Sequence, residues 1–393
     1  MRYNAETYRI EDGGRLAKPA LMVGIVGLAA SFGGVTLHPE SFHAAYLTAW
    51  LFWVGIALGG LFLTMLHHLT GSVWSVVIRR IAETLAGTMP ILALLFIPNI
   101  LGIHELYEWS HEEALRDPLL MKKAGWLSPT FWTIRAVIYL GVWSLLAWRL
   151  KVISLDQDKG GTAEQKSRFV KVSAPGMILF ALTVSFAAFD WLMSLYPHWY
   201  STIYGVYFGM GSIMAMLAFL TVSISRLQSK GALVGIITEE HRHDIGKLFF
   251  AFIILWAYMV FSQYFLIWYA NLPEETIYYR ERWIGSWKVI SLSIVFGHFV
   301  TPFLLLISRP AKRSATLLPI MGVWMLLMHY IDLYWNVMPT FSKGGFQISP
   351  WHFTTLFGIG GIMIFFFIKS LVKNPLVPVG DPQLNDSINI ISK

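Results

Sequence analysis

Ten long apolar runs, separated by short polar stretches, dominate the chain. They fall at about 18–37, 43–67, 81–103, 130–150, 173–195, 200–225, 246–270, 285–308, 315–338 and 351–371. About 20 apolar residues at roughly 1.5 Å rise each match the hydrocarbon thickness of a bilayer. The pattern therefore predicts an all-α polytopic membrane protein of about ten transmembrane helices. The polar segments divide it into a tail (1–17), spans 1–4 (18–150), a linker (151–172), spans 5–10 (173–371) and a second tail (372–393). The linker KVISLDQDKGGTAEQKSRFVKV reads as a solvated flexible loop. The proline- and Asn/Asp-containing end reads as disordered or docked on a partner.

Composition agrees with this pattern. The chain is 55% hydrophobic and only 13% charged, against roughly 25% for a soluble domain. Seven charges (Arg2, Glu6, Arg9, Glu11, Asp12, Arg15, Lys18) crowd the first 18 residues, so that stretch is no signal peptide, and the first span is expected to act as an uncleaved insertion signal. An even number of spans places both termini on one side. The terminus-side segments hold 22 Lys and Arg residues and the opposite side 8, which predicts cytoplasmic termini. The net charge of +7 follows from those loops and does not point to nucleic acid. There is no cysteine. That excludes disulfides, cysteine-ligated iron–sulfur clusters and covalently attached c-type haem.

The candidate chemistry lies in the few ionisable groups inside the spans. Asp190 sits in APGMILFALTVSFAAFDWLMSLYP, and His329 and Asp332 sit in LLPIMGVWMLLMHYIDLYWNVMP. Such groups are costly in a bilayer and usually face a protein interior or a wet cavity. Asp190 and Asp332 each precede a proline by seven residues, which hints at duplicated helical bundles. By helix rise both lie roughly 8–10 Å inside the outer end, with His329 one turn deeper on the same face. If spans 5, 8 and 9 are neighbours, then Asp190, His298, His329 and Asp332, walled by Trp191, Tyr196 and Trp335, form a polar pocket. Such a pocket suits a quinone head group, because Asp or His can take a quinol proton. The competing reading is that each group satisfies a donor in a helix interface.

A second set, Glu83 with His104, Glu105 and Glu108, marks a candidate proton path, although interfacial placement of Glu83 is the simpler expectation. A bis-histidine haem is not expected, because His298 at about 20 Å and His329 at about 13 Å from the outer surface differ in depth. No metal site, phosphate loop or HExxH motif is expected. A secondary transporter is the rival class; it predicts helices broken at corresponding points of two halves, for which Gly59-Gly60 and Gly360-Gly361 are candidates.

The run Asp190-Trp191-Leu192-Met193-Ser194-Leu195-Tyr196-Pro197-His198-Trp199-Tyr200-Ser201-Thr202 resembles the signature of the large membrane subunits of alternative complex III, a bacterial quinol:electron-acceptor oxidoreductase. Over roughly 15–372 the chain is similar to its F-subunit family, within the polysulfide-reductase membrane-subunit (NrfD-like) superfamily. The resemblance implies two four-helix bundles, spans 2–5 and 6–9, with spans 1 and 10 peripheral, in the bacterial inner membrane. It implies no tightly bound cofactor in this chain, with quinone or menaquinone as a ligand. It also implies a sister subunit of the same fold, which holds the quinol pocket more firmly. The iron–sulfur clusters and c-type haems would belong to partner subunits. Only Asp190 carries over from the motif.

Overall fold

The computed structural model describes residues 8–10, 13–160 and 163–391. The tail charges Arg2, Glu6, Glu11 and Asp12, and Lys393, lie outside them. All regular structure among the described residues is helical. Ten helices are long and apolar enough to cross a membrane: α1 (Ala17–Leu37), α2 (Pro39–Thr70), α3 (Val76–Leu101), α4 (Pro129–Gln157), α5 (Gln165–Leu195), α6 (Tyr204–Ser229), α7 (Glu239–Ala270), α8 (Trp287–Leu306), α9 (Leu317–Thr340) and α10 (Pro350–Lys373).

Helices α2 to α5 close a ring in chain order, and α6 to α9 close a second one. The rings join along α2 and α6. This seam is tight because its residues are small. A Cβ on Gly59 would stand 2.4 Å from Met216 Cβ, and one on Gly55 would stand 3.1 Å from the Ser212 hydroxyl. Small residues let backbones approach, which drives helix association where lipid is as apolar as leucine. Helix α1 touches mainly α10, and α10 in turn leans on α2. The α1–α10 contact is backbone on backbone: a Cβ on Gly27 would lie 2.7 Å from the Gly358 backbone, and one on Gly361 would lie 2.4 Å from Gly24 N. Ser31 donates across the contact to Thr354 at 2.9 Å.

Two spans are irregular. Prolines 90 and 98 interrupt α3, giving segments Val76–Ala86, Met89–Leu94 and Ile97–Leu101. Proline lacks the N–H that would close the helical ladder. The exposed carbonyls find donors on α2: Trp50 Nε1 reaches Leu92 O at 2.8 Å and Tyr46 Oη reaches Leu95 O at 2.7 Å. Helix α8 contains a π turn over Ile294–Val300. The Gly59-Gly60 and Gly360-Gly361 pairs lie within unbroken helices and serve packing instead. The transporter reading's paired breaks are absent there.

The ends differ from expectation. The 151–172 linker is largely helix, because α4 continues to Gln157 and α5 starts near it. Its polar residues have partners: Ser154 donates to Glu83 at 2.6 Å, and Asp158 pairs with Arg80 at 2.8 Å. Burial holds the Asp158 carboxyl above its ordinary range, and the Arg80 guanidinium opposes that shift. The C-terminal segment folds onto this same end of the chain. It buries Leu376, Val377 and Leu384 and places Asp381 2.6 Å from Arg79. Those apolar side chains explain why it is not a loose tail. Tyr8 O accepts from Leu376 N, so both described chain ends meet on one side.

Candidate functional site

Asp190 lies at the end of α5 opposite the chain termini, with none of its surface exposed. Arg135, on the second turn of α4, grips it with two hydrogen bonds, Nε to Oδ2 at 2.7 Å and Nη2 to Oδ1 at 2.8 Å. The Tyr139 hydroxyl adds a third at 2.8 Å and the Trp126 indole a fourth at 3.0 Å. The guanidinium also lies over the rings of Trp126 (4.1 Å) and Phe131 (4.4 Å). A carboxylate with four donors and an opposite charge is a structural lock. Trp191 beside it packs on Trp50, Phe96 and Trp143 inside the first bundle. The single pocket expected from spans 5, 8 and 9 therefore splits: Asp190 and Trp191 belong to one bundle, and the remaining members to the other.

In the second bundle, His298, His329 and Asp332 converge. The two imidazole rings are 6.5 Å apart. One donor atom from each of the three residues lies within 4.8 Å of the others. The depth mismatch expected from helix rise does not hold. Spans tilt from the membrane normal, and the π turn carrying His298 changes the face that α8 presents. All three residues are buried, His298 completely. None of the four imidazole nitrogens has a hydrogen-bond partner among the described residues. A buried polar atom without a partner carries its full desolvation cost, and in a native fold it needs an explanation.

Close packing fixes the positions of these rings. Trp256 of α7 stacks on His298 at 3.6 Å. Gly211 of α6 backs His329, where a Cβ would stand 3.0 Å from Cε1. Beside His298, Gly297 O accepts from Trp324 Nε1 at 2.8 Å.

Asp332 is linked by hydrogen bonds toward the end of the bundle opposite the chain termini. The Tyr207 hydroxyl donates to its Oδ1 at 2.5 Å, and Asn336 Nδ2 donates to the Tyr207 oxygen at 2.6 Å. Asn336 Oδ1 accepts from Tyr204 (2.8 Å) and Tyr278 (3.1 Å). Tyr278 lies on the short helix Pro273–Glu281 and stacks on Trp199 at 3.9 Å. Burial holds its phenol above the ordinary range, so it stays protonated at neutral pH and serves as a hydrogen-bond donor. Arg282 covers this end, 3.4 Å over the Tyr278 ring, and donates to the carbonyls of Tyr278 and Asn336. A cleft of about 160 Å³ opens near the C-terminal end of α9, lined by Glu40, Ser41, Met338, Ser342, Gln347 and Ser349 among others.

The remaining predicted residues lie elsewhere. Trp335 donates to Ser291 at 2.8 Å and faces Arg282. Tyr196 pairs with Glu281; burial, first, and that carboxylate push its phenol up to about 12. Glu83 is buried among Arg79 (3.0 Å), Arg80 (3.6 Å) and Ser154, at the end where the chain termini meet. His104 and Glu108 are exposed, and Glu105 is half-buried, on the loop between α3 and α4 of the first bundle. The structure does not join this set to the His298 cluster.

No protein-family model and no curated protein matches this sequence. Sequence reasoning missed Tyr207, Asn336, Trp256 and Arg135. The first two carried a usable signal, since polar residues in apolar runs are rare. Arg135 was counted among outer-side charges, and only packing shows that it points inward.

Proposed function

We propose that this multi-pass protein is a membrane subunit of a quinol:electron-acceptor oxidoreductase complex. Its second bundle would take protons released by quinol oxidation and pass them toward the outer side. In this reading both termini are cytoplasmic, the membrane is the bacterial inner membrane, and electrons go to iron–sulfur and c-type haem partners. The observation that carries it is the His298–His329–Asp332 cluster. These buried groups can accept protons, no cation among the described residues pairs with the carboxylate, and hydrogen bonds lead from it through Tyr207 and Asn336 to Tyr278. Buried Asp and His groups suit proton relay, and Asn336 orients the tyrosine hydroxyls beside them. The DWLMSLYPHWYST run and the absence of cysteine support the same assignment.

Activity of the purified complex tests this. Asp332→Asn and His329→Gln are expected to lower quinol oxidation at least tenfold while the complex stays assembled. Unchanged quinol oxidation and unchanged proton release in both would sink the reading. A second reading, a scaffold whose sister subunit holds the quinol, draws support from the Arg135–Asp190 lock. That lock leaves the motif's aspartate engaged on every side.

A further inference from the structure

We infer that His298, His329 and Asp332 form a binding site for one divalent first-row transition-metal ion, zinc-like in its ligand preference. Two imidazoles and one carboxylate are the donor set that Zn²⁺, Fe²⁺ and Co²⁺ accept, whereas Mg²⁺ and Ca²⁺ prefer oxygen alone. The inference concerns the cluster just described, but it rests on geometry and not on the quinol reading.

Three independent features point to an ion. The first is convergence: donor atoms from two helices lie within 4.8 Å of one another. Ligands at about 2.0–2.2 Å from a zinc ion are separated by less than this, so small side-chain rotations close the site. The second is orphaned lone pairs. Four imidazole nitrogens, in rings that are 0% and 1% exposed, have no partner among the described residues. A neutral imidazole always carries one nitrogen able to coordinate. The third is the supporting shell. A ligating carboxylate is commonly oriented by a further hydrogen bond, and Tyr207 supplies one, itself held by Asn336. Trp256 fixes one ring by stacking, and Gly211 leaves room for the other. The π turn that carries His298 is a form frequent at functional sites.

Charge decides what kind of site this is. One carboxylate cancels only half of a divalent charge in an apolar surrounding. Binding is therefore weaker than at a four-ligand structural zinc site, and it displaces any proton held by the same lone pairs. The ion competes with protons and does not knit the fold together.

The test uses the full chain, purified in detergent, stripped with chelator and titrated with Co²⁺ and Zn²⁺. His104→Gln and His111→Gln are introduced throughout, because those exposed imidazoles, 5.7 Å apart, offer a surface site. One equivalent of Co²⁺ with visible d–d bands is expected. X-ray absorption at the zinc edge should show imidazole scattering from two ligands. Asp332→Asn and His329→Gln should each abolish the bands. Tyr207→Phe keeps all three ligands and should weaken binding by about tenfold or more. The zinc spectrum of the chain with its cluster intact needs no cluster variant, so misfolding of a variant leaves it decisive. Absence of stoichiometric binding, a spectrum without two imidazoles, or bands that survive both substitutions would overturn the inference. Loss of quinol oxidation in the same variants, without metal binding, would leave the proposed function standing alone.

Discussion

Neutralising each of the two buried aspartates should separate a structural group from a functional one. Asp190→Asn keeps the side-chain volume but removes the charge facing Arg135, whose side chain is 6% exposed. The guanidinium then retains the Trp126 carbonyl at 2.9 Å and two ring faces. Breaking one partner of a buried ion pair costs about 3–5 kcal/mol. Asp332→Asn meets no cation, and Tyr207 can still donate to the amide oxygen, so about 1 kcal/mol is expected. The difference of roughly 2–4 kcal/mol is readable as a shift in unfolding midpoint when the purified chain is titrated with denaturing detergent in mixed micelles. Replacing both partners, Asp190→Leu with Arg135→Met, should recover most of the loss, because well-packed apolar residues often substitute for a buried pair at no cost. Tyr139 and Trp126 would lose an acceptor, so recovery stops short of complete. The reasoning fails if Asp190→Asn is no more destabilising than Asp332→Asn, or if the double variant loses the sum of its single costs.

Other consequences are as direct. Gly211→Ala places a methyl 3.0 Å from His329 Cε1, and it should lower quinol oxidation several-fold while leaving the unfolding midpoint within about 1 kcal/mol. Deleting residues 375–393 removes Asp381 from Arg79 and uncovers apolar surface; it should cost about 1–3 kcal/mol and speed hydrogen exchange in the Val76–Ala86 helix. Asp117 is held below its ordinary value of 3.8 first by His198 and then by the Leu119 N–H. A carboxyl with a depressed value contributes stability above the unfolded value and loses it as pH falls through the folded one. The contact between the loop joining α3 to α4 and the 196–203 turn should thus persist from neutrality to about pH 4 and weaken below that, read by hydrogen exchange. Asp117→Asn should show the acid-like exchange already at pH 7.

The ten spans were legible because lipid imposes a length and a hydropathy that no soluble helix needs. The division into two four-helix bundles was also legible in outline, from two aspartates seven residues before two prolines. The content of the two sites was not. One residue, Arg135, makes the first aspartate a clamp, and nothing local to position 135 distinguishes an arginine that turns inward from one that meets the outer water. His298 and His329 looked mismatched because a rise per residue assumes straight, upright helices; a π turn and tilt defeat that arithmetic. The tail past Asn374 reads as disordered or docked on a partner because its prolines outweigh three apolar residues, and the arginine that Asp381 meets lies 302 positions earlier.

The α1–α10 contact also sets a schedule. Ser31 and Thr354 are 323 residues apart in the chain. At about 5–20 residues per second, α1 waits roughly 15–65 s in the lipid before its partner is synthesised. During that interval its glycine face has nothing to close against, and its own hydropathy must keep it inserted. A ribosome that stops before Pro350 leaves that face open. The contact therefore distinguishes a chain that extends through α10 from one stopped short of it, and the difference is readable at the Gly24 and Gly27 face of α1.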